Sequence, residues 1–102
     1  MVKRRIVWTK SAHLERIEIL NYWYNKTKSK AYSKKLNKLF SETIKLLCTH
    51  PEIGRITKDN SIRITIVRDY LIFYEFTTTE LIILSVWDTR RDEKDTEFDY
   101  IS

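Results

Sequence analysis

Two different periods of apolar and polar residues run along the chain. From Ala12 onward, Leu14, Ile17, Leu20 and Trp23/Tyr24 recur at intervals of three and four, the repeat of an amphipathic helix. Thr9 or Ser11 can cap its start, because a side-chain oxygen there accepts an amide left unpaired in the first turn. The polar stretch Asn25-Lys26-Thr27-Lys28-Ser29 breaks the pattern. A second helix is predicted from about Lys30 to Thr49, with the stripe Tyr32, Leu36, Leu39/Phe40, Ile44 and Leu47 and with Lys34, Lys35, Lys38 and Lys45 largely off it. Two such helices joined by a short loop make a helical hairpin. Pro51 closes the second one, since it lacks the amide donor and disfavours helical geometry at His50.

Outside the helices the period is two. Residues 3–8 place Arg4, Ile6 and Trp8 on one side of a short first strand. After the polar run Thr57–Ser61, Ile62, Ile64 and Ile66 alternate with Arg63, Thr65 and Val67, which predicts one buried and one more exposed face. Tyr70–Phe76 and Leu81–Trp87 are apolar on both faces, as in the middle of a sheet. The links Arg68-Asp69 and Thr77-Thr78-Thr79-Glu80 are short enough for antiparallel hairpins. The order β-α-α-β-β-β is an α+β pattern, with a helical hairpin packed on one face of a twisted antiparallel sheet. The other face is left for solvent or a partner. Gly54 is the one glycine in the chain and is expected where the backbone takes a conformation that other residues resist.

A length of 102 residues allows one domain, expected over residues 3–95 with a charged tail at 96–102 and order lost past about Asp95. No apolar run approaches the roughly 18–20 residues of a membrane span, and the basic N-terminus has no apolar stretch behind it. A cytosolic protein without membrane contact is the expectation. Cys48, the single cysteine, lies in the apolar run Ile44–Cys48 and reads as a core residue. The net charge of +5 is divided unevenly. Residues 1–58 hold fourteen Lys and Arg against four Asp and Glu, a balance of +10, while residues 59–102 hold five against ten, a balance of −5. A basic surface built by the first half would attract nucleic acid or an acidic protein segment, although a solvated lysine-rich helix face gives the same count. One Cys and two His without ligand spacing imply no metal site, one glycine cannot form a phosphate loop, and no cofactor is expected. Trp8, Trp23, Tyr24 and Trp87 read as core or interface anchors rather than base-stacking platforms.

Three stretches are more specific: His50-Pro51-Glu52-Ile53-Gly54-Arg55; Val67-Arg68-Asp69-Tyr70-Leu71-Ile72-Phe73-Tyr74-Glu75-Phe76; and Ile82-Ile83-Leu84-Ser85-Val86-Trp87-Asp88-Thr89-Arg90-Arg91-Asp92. With the element order, they make the chain resemble the RelE/ParE toxin superfamily over roughly residues 3–95. That resemblance implies a toxin of a bacterial type II toxin–antitoxin pair, neutralised by a cognate antitoxin. RelE-like members cut mRNA on the ribosome, whereas ParE-like members poison DNA gyrase.

RNA cleavage without a metal needs a base, an acid and positive charge on the phosphorane formed by the attacking 2′-hydroxyl. Arginine supplies the last through its planar fork. The resemblance points to Arg90 and Arg91 at the end of the last strand and Arg63 on the first meander strand as catalytic candidates. The same arginines could instead pair with Asp88, Asp92 or Glu93. Arg68 and Arg55, with Lys34 and Lys38 of the second helix, are candidates for nucleic-acid or target binding. RelE-like nucleases typically carry a basic residue directly after the first Tyr of the Tyr70–Tyr74 strand, and here that position is Leu71. They often place a Tyr or His shortly after the C-terminal arginine, whereas here the next aromatics are Phe98 and Tyr100. His13 and His50 could titrate near neutrality, but isolated histidines are more often surface or capping residues. These departures favour a ParE-like, gyrase-directed or diverged toxin over a ribosome-dependent mRNA endoribonuclease. A non-toxic nucleic-acid or protein-binding module is the third reading. An antitoxin segment is expected across the hairpin or the open sheet face.

Overall fold

Thr9 and Ser29 open the two helices. The Thr9 hydroxyl accepts from the Ala12 amide at 3.1 Å, and the Ser29 hydroxyl accepts from the Ala31 amide at 3.1 Å. The computed structural model describes residues 3–59 and 61–90. In chain order the elements are β1 (Arg5–Trp8), α1 (Lys10–Thr27), α2 (Lys30–Thr49), a 3-10 turn (Pro51–Ile53), β2 (Arg55–Ile56), β3 (Arg63–Val67), β4 (Tyr70–Phe76) and β5 (Glu80–Asp88). The expectations for Arg91 and for the tail beyond it fall outside the described residues.

The strands form one five-stranded sheet in the order β1-β5-β4-β3-β2. The α+β reading holds, and β3, β4 and β5 are the expected antiparallel meander. Two features go beyond it. β1 pairs parallel to β5, Arg5 opposite Glu80 through Trp8 opposite Ile83. β2, only two residues long, adds an outer strand antiparallel to β3.

Both helices lie on one face of the sheet. Ala12 and Ile19 of α1 join Leu36, Phe40, Ile44, Leu47 and Cys48 of α2 over Val67, Tyr70, Ile72, Tyr74, Leu81, Ile83 and Val86. The α2 stripe is the one the sequence predicts, and Cys48 is fully buried, its thiol pushed up in pKa chiefly by that burial. The expected α1 stripe holds at Leu20 and Trp23, which pack against the core, but not at Leu14 and Ile17, which are 54% and 39% exposed while Ala12 and Ile19 face inward. The cause is Glu15. At a register shift between Phe73 and Tyr74 the β4–β5 ladder is irregular. There one Glu15 carboxylate oxygen accepts from the Ser85 hydroxyl and the Val86 amide, both at 2.9 Å. An acidic side chain thus points inward where apolar spacing alone predicts a leucine.

The second sheet face differs from expectation too. It is not left bare: Ile64, Leu71 and Phe73 form a separate cluster flanked by Ile62, Leu84 and Trp87. The alternation in β3 is real, but both of its faces are mixed. Val67 turns toward the helices and is 6% exposed, whereas Ile66, beyond the end of β2, is 65% exposed.

Gly54 also departs from its expected role. Its φ of −74° and ψ of 159° are ordinary extended backbone. The position is closed to larger residues by proximity, because a Cβ there would overlap the Tyr74 hydroxyl oxygen and stand 2.8 Å from its Cζ. That hydroxyl donates to the Pro51 carbonyl at 2.6 Å and accepts from the Gly54 amide at 3.0 Å. The left-handed backbone occurs instead at Lys28, which ends α1 with φ 58°, and at Arg68 in the β3–β4 turn with φ 56°.

Candidate functional site

Arg90 leaves the end of β5 and folds back over α1. Its guanidinium stands 4.9 Å from the Trp23 ring centroid, 5.9 Å from that of Tyr70 and 6.0 Å from that of Tyr22. Its edge is held by Asp88: Nε donates to Oδ1 at 3.1 Å and Nη2 to Oδ2 at 3.1 Å, while the Arg90 amide also donates to Oδ1 at 2.9 Å. Asp69 of the β3–β4 turn approaches to 4.0 Å. Beneath, the Tyr70 hydroxyl accepts from Trp23 Nε1 at 2.6 Å and from Arg90 Nη2 at 3.3 Å. The hydrogen bonds and charge of Asp88 raise the Arg90 pKa, and burial raises that of Tyr70. At any pH near neutrality the pair is therefore a cation on a neutral phenol.

The Arg90–Asp88 pairing is the ion pair that the sequence offered as the alternative to catalysis. The aromatic cage is new. Tyr22 and Trp23 are separated from Tyr70 by more than forty residues, and no local spacing signals that they meet. Of the four aromatics read as anchors, Trp23 packs against the core and also supports Arg90. Trp8 lies under Arg16 with 4.6 Å to the ring centroid, Trp87 packs on Phe73, and Tyr24 is 44% exposed.

Arg63 is at the other end of the sheet. It pairs with Tyr74, whereas Asp88, next to Arg90, pairs with Tyr70. Four residues of strand separate the two positions by roughly 13 Å. One Arg63 nitrogen donates to the Glu52 carbonyl at 3.1 Å and to the Gly54 carbonyl at 3.0 Å, and the guanidinium lies 5.9 Å from the Phe76 ring centroid. Arg4 shares that ring at 5.2 Å and donates to the carbonyls of Thr77 and Cys48. Arg4 thus ties the end of α2 to the end of β4, and Arg63 ties the turn after α2 to β3. Leu71 is 8% exposed and faces the cluster away from the helices.

The remaining basic candidates occupy separate surfaces. Arg68 is exposed in the turn beside Arg90, with Asp69 between them. Arg55 is exposed on β2 and lines a cleft of about 330 Å3 with Ile53, Gly54, Ile64, Thr65, Ile66, Leu71 and Thr89. Lys34 and Lys38 are exposed on α2. Lys34 and Lys30 border an open cleft of about 430 Å3 between the helices, floored by Leu20 and Tyr24. His13 and His50 are exposed, the latter capping the end of α2. No helix among the described residues is long and apolar enough to cross a membrane.

The family model described as ParE toxin of type II toxin-antitoxin system, parDE, matches residues 6–93. Among solved structures, the chain is similar to one of the chromosomal ParDE TA system from P. aeruginosa, with a TM-score of 0.70 and 17% sequence identity. The match covers 84% of this chain and 96% of that one. At that identity the likeness speaks for the fold alone. No curated protein matches the chain. The family model spans nearly all of the sequence, and the chain belongs to the ParE toxin family of type II toxin–antitoxin systems.

Proposed function

We propose that this toxin arrests growth by binding a macromolecular target, with DNA gyrase as the target, and not by cutting RNA. The observation that carries this reading is the disposition of the arginines. A phosphorane needs positive charge converging on one point. Arg63 and Arg90 lie at opposite ends of the sheet, and each is already engaged, one by loop carbonyls and the other by Asp88. Leu71 takes the position where a nuclease of the superfamily carries a basic side chain.

The Arg90 platform is better suited to presenting a surface. The guanidinium is held over Trp23, 4.9 Å from its ring centroid, and Arg68 is exposed in the β3–β4 turn. A cognate antitoxin is the second partner in this reading. Its acidic segment would cover the helix hairpin, where the cleft floored by Leu20 and Tyr24 is rimmed by Lys30 and Lys34. The ribonuclease reading keeps one supporting feature, the exposed basic end formed by Arg68 and Arg90.

The experiment is induced expression in a bacterial host without the neighbouring gene, with growth, mRNA integrity and plasmid supercoiling followed together. Arrest with intact mRNA and altered supercoiling is the expected result. Arrest with rapid mRNA loss would replace the gyrase reading by the ribonuclease one, and no arrest from folded protein would leave a non-toxic binding module. In the same assay Arg90→Ala is expected to lower toxicity at least ten-fold, while Arg63→Ala acts only through stability.

A further inference from the structure

The edge of β3 is open for part of its length, and the reason is visible in the loop beside it. Thr57 donates its amide to the Ile62 carbonyl at 3.0 Å, and Arg55 pairs with Ile64. The backbone groups of Ile62, Ile64 and, by the two-residue alternation of an antiparallel ladder, Ile66 therefore point toward the β2 side. β2 reaches only as far as Ile64. Before Arg55 the chain is drawn off the ladder, because the Tyr74 hydroxyl holds the Pro51 carbonyl and the Gly54 amide on the helix side of the sheet. Among the described residues, no strand faces Ile66. Its side chain is 65% exposed and that of Ile53 57%, and between them lies the cleft that also takes in Ile64, Leu71 and Thr89. Among the described residues, the one charged residue in its lining is Arg55, and Arg68 is exposed in the turn beyond Val67.

We infer that this open edge is a docking site for an extended, acidic-ended peptide segment of a protein partner, which pairs with Ile66 as an added strand. The backbone of Ile66 supplies an amide donor and a carbonyl acceptor to the incoming chain. Its apolar side chain enters the cleft over Ile64 and Leu71, and its acidic ends meet Arg55 and Arg68. This is strand addition at an exposed sheet edge, with main-chain bonds for affinity and one pocket and two charges for selectivity. The site is distinct from the hairpin cleft. Identifying the donor as the antitoxin rests on the toxin reading; the docking edge does not.

The test uses the full chain and two capped heptapeptides, Glu-Thr-Ile-Thr-Val-Thr-Asp and the same core with Lys at both ends. Binding is followed by calorimetry and by hydrogen exchange at the Ile66 amide. The acidic peptide is expected to bind at least ten-fold more tightly and to slow exchange at Ile66 at least ten-fold. Arg55→Glu with Arg68→Glu should reverse the preference between the peptides. Ile66→Pro, which removes the outward donor, should abolish binding with the thermal unfolding of the protein still cooperative. Equal affinity for both peptides, binding of neither, or unchanged exchange at Ile66 with the acidic peptide bound would overturn the inference. So would self-association of the chain that Ile66→Pro abolishes, since the edge would then serve a second copy. None of these readouts depends on growth inhibition, so the inference and the toxin reading can fail separately.

Discussion

Tyr74 shows how one hydroxyl can determine the identity of another residue. Its contacts with Pro51 and Gly54 leave no space for a Cβ at position 54, although the backbone there would suit any residue. Gly54→Ala is therefore expected to destabilise by about 1–3 kcal/mol, the usual cost of forcing atoms into a packed site. Adding Tyr74→Phe should restore only part of the loss, because the ring carbons would still crowd the new methyl. Urea titration of the two single variants and the double variant checks this, and strict additivity would show that the contact is not the cause.

The same hydroxyl predicts a pH dependence. Burial raises the Tyr74 pKa above the ordinary tyrosine value of 10.0, and ionisation would remove the proton donated to Pro51. The unfolded chain then releases its proton first as pH rises, so this contribution is complete below pH 10 and falls above it. Thermal unfolding followed from pH 8 upward should show Tm dropping beyond about 10, and less steeply in Tyr74→Phe.

Among the elements, α1 best separates what local spacing reveals from what it does not. The α2 stripe, the two hairpin turns and the cap at Thr9 were all legible, because each depends on residues a few positions apart. The inward face of the first half of α1 was not, because Glu15 there meets Ser85 and Val86 some seventy residues later. β2 was hidden by its length of two residues, and the parallel β1–β5 pairing has no local signature. At the site, Asp88 as partner of Arg90 follows from a spacing of two, whereas Trp23, Tyr22 and Tyr70 converge only through the fold. Glu15→Ala leaves the Val86 amide and the Ser85 hydroxyl without their acceptor, at a cost of about 1–3 kcal/mol. Glu15→Gln, which keeps an acceptor oxygen, should lose less than half of that. If both variants unfolded at the wild-type urea midpoint, the bulge would not depend on α1.

At the scale of the molecule, charge and topology combine. The lysines of α2 are exposed, so this part of the basic excess of residues 1–58 forms a surface field. Such a field accelerates encounters with an acidic partner and is screened by salt within about 10 Å at 0.1 M. Lys34→Glu with Lys38→Glu should leave stability within about 0.5 kcal/mol. It should also slow association with the antitoxin several-fold at low salt and little at high salt. Stopped-flow mixing at two ionic strengths is the measurement, and a slowing independent of salt would place the effect elsewhere.

The parallel pairing of β1 with β5 also sets an order of events during synthesis. Residues 5–8 find their partner only in residues 80–83. On the ribosome, the first strand must wait, unpaired, until β5 has been made, some seventy residues later. The helices can form as they emerge, from contacts close in sequence, but β1 cannot be paired until β5 clears the exit tunnel. A toxin built this way has no finished sheet until β5 has emerged, and a partner already present can meet it at that moment.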